Sequence, residues 1–253
     1  MTMHRLPREA FLKSRFLPLW GLLGFQAGFI NSFGFLACQR FVSHVTGFGT
    51  QVGMSIGAGQ YAFAIEMLGA PFFFIFGSFT SACLTVVREE RGLPPRYDGV
   101  IGLMPWMILA CAVLGFAGVF GPFTETLLLP RDFVLLFSLS LICGMQNGCF
   151  TTMSHGQIRT THLTGISTDF GTDLARSVFG RLEGGRRALV LQTNRVRMMT
   201  FFAFSLGAVL SAFMENRLGY LGLGIPVVTS TVVWIFARRV KREIDHDRGL
   251  LTE

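Results

Sequence analysis

Apolar runs of about 20 residues recur along this chain, and its charged residues are gathered in short clusters between them. A helix of that length crosses the roughly 30 Å hydrocarbon layer of a bilayer. Of the 253 residues, 51% are hydrophobic and only 15% are charged, and the mean hydropathy is +0.51. These features predict an all-α, polytopic membrane bundle and exclude an ordinary soluble domain.

The runs predict six spans in a single integral membrane domain, residues 1–253. The predicted spans cover about residues 16–38, 61–87, 100–120, 133–153, 198–214 and 218–237. Arginine and lysine are concentrated at the N-terminus, in residues 88–96 and 181–197, and in the basic tail 238–253. The positive-inside rule therefore predicts a bacterial inner-membrane protein with both termini in the cytoplasm, and residues 121–132 and 215–218 outside. These topology signals explain the net charge of +7, so we expect no nucleic-acid partner.

One motif occurs twice. Ser43-His44-Val45-Thr46-Gly47 recurs 118 residues later as Thr161-His162-Leu163-Thr164-Gly165. The apolar run before each copy carries a Gly-x-x-Asn, at Gly28–Asn31 and at Gly144–Asn147. Two matches with common flanks indicate an internal duplication. With three spans in each unit, about 17–120 and 133–237, the units have opposite orientations. The sequence thus predicts a 3+3 inverted-topology repeat, which many secondary transporters contain.

Each motif is followed by a segment too short or too polar to span, residues 44–58 and 162–178. We predict that both are broken or re-entrant, since glycine permits a break and Gly-interrupted segments at matching positions point to a transport site. A helix that starts at such a break directs free N–H groups towards an anion or a carboxylate. In the alternative interpretation, the same residues only cap and pack two kinked helices.

The candidate substrate-binding residues share neutral hydrogen-bonding groups or a helix-breaking glycine, with one arginine among them. They are Asn31, Ser43, His44, Thr46, Gly47, Gln146, Asn147, Arg159, Thr161, His162, Thr164 and Gly165. The histidines can exchange a proton near physiological pH, contact a ligand, or simply bond a carbonyl at the interface. The amides, together with Gln26, either line a pathway or join helices.

A cluster of charges occurs only after the second motif. Asp169 and Asp173 are one helical turn apart, and Arg176 follows three residues later. This spacing predicts a surface ion-pair ladder, with a cytoplasmic gate using Arg159 as the alternative.

Neither a metal site nor catalysis is expected. No carboxylate or thiolate stands at ligand spacing beside His44 or His162, and we predict no cofactor. The five cysteines lie in or beside apolar runs without a C-x-x-C, as is typical of buried reduced thiols. Ser43 directly precedes His44, so the two side chains point apart, and common enzymatic motifs are missing. We therefore expect that the chain is not an enzyme.

The two motif regions carry a family resemblance. The runs Gly28–Asn31, Phe41–Gly47 and Gly144–Gly165 resemble the YoaK-type family of bacterial inner-membrane proteins (domain of unknown function 1275). The resemblance covers about residues 17–240 and implies an integral membrane protein of about six spans with no established activity. Family members commonly have Asn after the first Thr-Gly, where this chain has Phe48.

The predicted function is that of a permease or carrier for a small polar or anionic solute. In this hypothesis the two inverted halves rock about one central site, where Thr46, Gly47, Thr164 and Gly165 approach one another. The alternative is a non-transporting membrane scaffold or partner-binding subunit that docks through the Arg-rich residues 181–197. The lipid bilayer is the expected partner in both cases, and a homo-oligomer is compatible with either. A water-accessible cavity at both motifs would support the carrier, and motifs that face lipid would support the scaffold.

Overall fold

A computed structural model describes residue 12 and residues 14–123, 130–154, 156, 159–181 and 184–246. The described part of the chain is helical and contains no strand, which confirms the predicted all-α class. The helices are α1 (Leu17–Cys38), α2 (Val45–Gly57), α3 (Tyr61–Leu84), α4 (Val86–Glu90), α5 (Tyr97–Phe116), α6 (Pro130–Met153), α7 (Leu163–Phe179), α8 (Gly184–Leu218) and α9 (Gly224–His246). Short 3-10 turns, Ser14–Phe16 and Gly219–Leu223, precede α1 and α9.

Within the described residues, six helical segments are long and apolar enough to cross a membrane, as the sequence predicts. They are α1, α3 with α4, α5, α6, α8, and α9 with the turn before it. Helices α2 and α7 are not among these six segments. Each begins one residue before the Thr of a Thr-Gly motif. Each motif is therefore followed by a short helix, and the chain breaks before it where the sequence predicts a break.

Two basic segments outside the predicted spans are helical. Helix α8 already begins at Gly184, so most of the Arg-rich stretch 181–197 is helix and not loop. Helix α9 likewise continues through the basic tail to His246. Arginine and lysine are good helix formers, so both spans continue past the membrane boundary as solvated helix. The remainder of the tail, the predicted loop residues 124–129 and residues 1–11 lie outside the described residues.

The bundle is built on two tight helix crossings, α1 with α8 and α3 with α6. Each crossing has reciprocal glycines, at which an added Cβ would overlap the backbone of the opposite helix. Gly28 meets Phe204 and Gly207 meets Phe25 at the first crossing. At the second, Gly144 meets Phe74 and Gly77 meets Leu141. Small residues of this kind allow backbones in a membrane to approach closely, where lipid offers no hydrophobic drive for association.

The motif-bearing helices lie at the centre of the bundle. Within the most apolar window, 61% of α1 and 67% of α6 is buried, against 28% for the segment that contains α3. Trp20 and Phe29 of α1 and Phe150 of α6 are almost completely buried. By contrast α3 presents Phe72 and Phe79 outwards, as expected for a lipid-facing surface. Helices α5 and α9 pack on each other and close the remaining side.

Candidate functional site

The two motif regions have matching backbone geometry. We call residues 39–47 the first break and residues 154–165 the second break; residues 155, 157 and 158 of the latter are outside the described set. His44 precedes α2 with φ −95° and ψ 68°, and His162 precedes α7 with φ −103° and ψ 71°. The carbonyl oxygen of each histidine accepts the first helical bond, at 3.2 Å from Phe48 N and 3.3 Å from Ile166 N. The same local sequence thus produces the same chain break twice.

The first break folds back beside α1. Gln39 ends α1 in the left-handed conformation with φ 54°, which reverses the chain. Asn31 Oδ1 then accepts hydrogen bonds from Ser43 N at 3.2 Å and from Ser43 Oγ at 2.9 Å. Because Asn31 lies seven residues before Cys38, the last residue of α1, the chain has returned by roughly 10 Å along the helix.

The second break folds back beside α6 in the same way. Gln146 Nε2 donates to Thr160 Oγ1 at 3.2 Å, and Gln146 lies seven residues before the end of α6 at Met153. The return is again roughly 10 Å. The N-termini of α2 and α7 therefore start well inside the length of the helices that precede them, as a re-entrant arrangement requires.

A buried amide network connects the second break to three spans. Gln26 Nε2 donates to Gln146 Oε1 at 2.9 Å, and Gln146 Nε2 also approaches the Leu23 carbonyl oxygen at 3.3 Å. The hydroxyls of Thr229 and Ser230 each donate to Gln26 Oε1 at 2.9 Å. Gln26 and Gln146 are only 1% exposed. Through these hydrogen bonds the side chains of Gln26 and Gln146 connect α1, α6 and α9. Sequence reasoning missed the two α9 hydroxyls, because serine and threonine in an apolar run carry no distinguishing signal.

Four buried polar atoms at the second break have no hydrogen-bond partner among the described residues. They are Asn147 Oδ1, Thr151 Oγ1, Thr161 Oγ1 and His162 Nε2. All belong to the end of α6 or to the segment that the Gln146–Thr160 bond holds against it. Each such atom costs about 1–3 kcal/mol relative to a bonded one, so a group of them indicates a place for a polar guest.

At the first break, two of the equivalent side chains are hydrogen-bonded, although Arg40 Nε there is buried and has no partner among the described residues. Asn31 and Ser43, the counterparts of Asn147 and Thr161, bond each other. The counterparts of Thr151 and Arg159 are Phe35 and Phe41, by the spacing of the two motif regions. The rings of Phe35 and Phe41 stack with centroids 4.5 Å apart, and Phe41 also meets the edge of His44 at 6.0 Å. An aromatic stack at the first break therefore replaces a hydroxyl and a guanidinium at the second.

The second break is electropositive. The His162 ring packs on Phe74 with centroids 5.9 Å apart. Burial, and then the nearby Arg159 guanidinium, lower the pKa of His162 below its ordinary value. Arg159 is exposed. Its Nη1 lies 3.7 Å from the point where a Cβ would be if Gly165, at the start of α7, were another residue. A guanidinium beside the positive end of a helix favours a negatively charged guest, and a neutral imidazole leaves His162 able to donate or accept one hydrogen bond.

The structure does not bring the two Thr-Gly pairs together by packing α2 on α7. Helix α2 packs against α3 and α7 packs against α8, and among the described residues no extensive contact joins α2 to α7. Thr46 and Thr164 are exposed, and Gly47 and Gly165 are half-buried. Thr46 and Thr164 therefore lie at the surface and not in the bundle interior, and the mutual approach of the four residues stays a prediction. Both breaks are nevertheless bonded to α6: the Val42 carbonyl oxygen in the first break accepts a hydrogen bond from Ser140 Oγ at 2.9 Å, and Thr160 in the second accepts one from Gln146.

Arg197, which sequence reasoning assigned only to topology, holds α7 against α8. Its Nη1 lies 2.6 Å from Asp173 Oδ2 and 3.0 Å from Asn194 Oδ1, and its Nη2 lies 3.1 Å from Asp169 Oδ2. Arg176 and Asp173 do form the predicted i,i+3 pair, at a longer 3.5 Å. The stronger partner was missed because it lies 24 residues away.

The remaining site predictions concern Phe48 and metal binding. Phe48 is 3% exposed and belongs to the apolar core, so the first break uses this position for packing. Among the described residues, no three His, Cys, Asp or Glu side chains are grouped so that they could hold a metal ion. The five cysteines are free, as predicted, and four of them are buried.

Comparison with known proteins places the chain in a family without assigning it an activity. A family model described as a protein of unknown function (DUF1275) matches residues 19–236, so the chain belongs to that family. No curated protein matches the chain, and no solved structure does.

Proposed function

We propose that this chain is a membrane carrier for a small polar or anionic solute, and that the solute binds at the second break. The observation that carries the proposal is a group of four buried polar atoms, on Asn147, Thr151, Thr161 and His162, that have no hydrogen-bond partner in the described part of the chain. A solute that supplies both acceptors and donors would satisfy them. A structural role alone gives no reason to bury four such atoms together.

Paired contacts support two halves of opposite orientation, as a rocking carrier requires. The α1–α8 crossing has its counterpart in α3–α6, with Gly28 and Gly144 at equivalent places. The contact of α2 with α3 has its counterpart in that of α7 with α8. We infer an inverted repeat in which the solute site lies on one side of the pseudo-twofold axis.

Charge favours an anion over a neutral polar solute. Arg159 and the N-terminus of α7 supply positive potential beside the unpartnered atoms, whereas the first break presents Phe41 at the equivalent position. A carboxylate or an inorganic oxyanion could accept bonds from Thr161 and from the free N–H groups of α7. We place this carrier in a bacterial inner membrane with both termini cytoplasmic, and propose that it performs no catalysis.

Solute binding can be measured on purified protein without knowing the physiological solute. Thermal unfolding in detergent would be followed at constant ionic strength with potassium chloride, phosphate, sulfate, acetate, lactate and succinate. We expect at least one anion to raise the unfolding temperature by several degrees, since a ligand that binds only the native state stabilises it. Thr161→Val and Asn147→Ala should remove this shift. The active anion should then exchange across proteoliposomes that contain the wild type.

The matched controls are Ser43→Ala and Asn31→Ala in the first break. Ser43→Ala removes one hydrogen bond that the protein makes itself and Asn31→Ala removes two, so we expect about 1–2 kcal/mol lower stability and an unchanged anion shift. Thr161→Val removes an unpartnered hydroxyl and should cost little stability. An anion shift that persists in Thr161→Val, or that disappears in Ser43→Ala, would contradict a site at the second break.

A non-transporting scaffold is the second candidate, and the exposure of Thr46 and Thr164 favours it. In that case the N-termini of α2 and α7 face a partner helix and not a solute path. The flux assay separates the two functions. Anion binding without exchange of the same anion by proteoliposomes would favour the scaffold.

A further inference from the structure

A groove lies between the end of α7 and the beginning of α8, away from both breaks. Its volume is about 560 Å³. Three arginines, one glycine and two aliphatic residues line it: Arg176, Gly180, Arg181, Arg186, Leu189 and Val190. Nothing in the proposed carrier mechanism uses this groove.

The groove is strongly basic. By sequence, residues 176–187 contain four arginines and one glutamate, a net charge of +3. Arg181 and Arg186 are exposed and form no ion pair with a carboxylate of the described residues. Arg176 is 64% exposed and shares Asp173 with Arg197, which holds the same carboxylate more closely. Three guanidinium groups around one cavity fit a phosphate, since each guanidinium can donate two parallel hydrogen bonds to phosphate oxygens.

Apolar side chains beside the groove are exposed to an unusual degree. Phe179 is 88% exposed, Val178 61% and Leu174 48%, and all three are in the last two turns of α7 or at its end. An exposed aromatic and aliphatic surface next to arginines is typical of a helix that lies at the membrane interface.

The length of α8 places the groove at the level of lipid headgroups. The apolar segment Gly184–Met214 has 31 residues, about 47 Å of helix, whereas the hydrocarbon layer needs only about 20 residues. The excess is at the N-terminal end, because Arg195 and Arg197 mark the boundary there. Val190, which lines the groove, then lies roughly 8 Å beyond Arg195, at the outer edge of the headgroup layer.

We propose that this groove binds the headgroup of an anionic phospholipid. Its phosphate lies among Arg176, Arg181 and Arg186, its glycerol backbone lies against Leu189 and Val190, and its acyl chains continue along α8 into the hydrocarbon layer. Phe179 and Val178 insert beside it into the interfacial layer. A bound lipid would brace α7 against α8, beside the Arg197 contacts that already hold the two helices together.

Lipid retention tests the proposal directly. The full-length protein would be equilibrated in mixed micelles with equal amounts of phosphatidylglycerol and phosphatidylcholine, and the bound lipids counted by native mass spectrometry. We expect wild type to retain phosphatidylglycerol at least fivefold over phosphatidylcholine. The triple variant Arg176→Gln, Arg181→Gln, Arg186→Gln should lose most of this preference. A second variant, Arg181→Glu alone, provides the same test if the triple variant is not monodisperse.

The matched control removes three exposed arginines from other basic segments of the chain, by Arg91→Gln, Arg96→Gln and Arg239→Gln. It should keep the wild-type preference, because the net charge changes equally while the groove stays intact. Equal loss in the control, or no preference in wild type, would overturn the proposal. Glycerol 1-phosphate at matched concentration should not displace the lipid; displacement would identify a soluble phosphate as the occupant and would overturn it as well.

Discussion

Replacement of Gly28 by alanine tests the helix crossing that supports the first break. An added Cβ would lie 2.8 Å from the Cα of Phe204 and closer still to its carbonyl oxygen, whereas ordinary contacts of a Cβ begin at 3.4 Å. Helices α1 and α8 would have to separate by about 1 Å or more at this point. The obstacle is backbone and not the end of a flexible side chain, so no rotamer change can relieve it.

The expected loss of stability is about 2 kcal/mol. Overpacking of a well-packed contact costs about 1–3 kcal/mol, and the better helix propensity of alanine offsets up to about 1 kcal/mol of it. Gly53→Ala is the matched control, because nothing lies within 4 Å of a Cβ at that helical position. Alanine there should leave stability unchanged or raise it by about 0.5–1 kcal/mol.

Thermal and denaturant unfolding in detergent, followed by tryptophan fluorescence, would measure both variants. The reciprocal variant Gly207→Ala should destabilise by a similar amount, since its Cβ would meet the backbone of Phe25. The double variant should cost less than the sum, because the first substitution already separates the helices. Gly28→Ala as stable as Gly53→Ala would refute the close crossing.

Three further predictions concern the polar contacts. Arg197→Gln should cost about 2 kcal/mol, because it leaves Asp173 only the longer pair with Arg176, and should speed amide exchange in α7 but not in α2. Gln26→Leu should destabilise by about 2 kcal/mol in unfolding titrations, because Gln146 and two α9 hydroxyls lose their shared partner. The pKa of His162 is lowered in the folded protein, so on acidification the unfolded chain binds a proton at this histidine at a higher pH than the folded chain does. The free energy of unfolding is therefore retained above about pH 6.5 and falls below it. His162→Gln should show a smaller fall in unfolding temperature between pH 7.5 and pH 5.

Apolar length and the repeated motif were sufficient to predict the helical class, the spans and the two chain breaks. The reason is that both signals are local: a span needs about 20 apolar residues, and each break needs its own His-x-Thr-Gly. The prediction was less accurate where a helix left the membrane. Arg186 and Arg195 indicated a basic loop by composition, yet arginine is equally suited to a solvated helix.

The contacts of the site could not be predicted, because they join residues far apart in the chain. Gln26 and Gln146 were recognised as polar residues within spans, but their bond depends on how α1 crosses α6. The pairing of Arg197 with Asp173 spans 24 residues and depends on the packing of α7. The bond from Ser140 of α6 to Val42 of the first break likewise joins residues 98 apart, and no local pattern determines it.

Access of water and anions to the second break is the most direct test of the carrier hypothesis. Thr161→Cys, in a background with the native cysteines replaced, would be exposed in proteoliposomes to charged, membrane-impermeant methanethiosulfonate reagents. Ser43→Cys is the control at the equivalent position of the first break, and Thr168→Cys is an exposed reference. The hypothesis predicts that Thr161→Cys reacts, that the anionic sulfonate reagent reacts faster than the cationic ammonium reagent, and that Ser43→Cys reacts slowly with both. A Thr161→Cys thiol that stays unmodified while Thr168→Cys reacts, or that prefers the cationic reagent, would contradict an anion site at the second break.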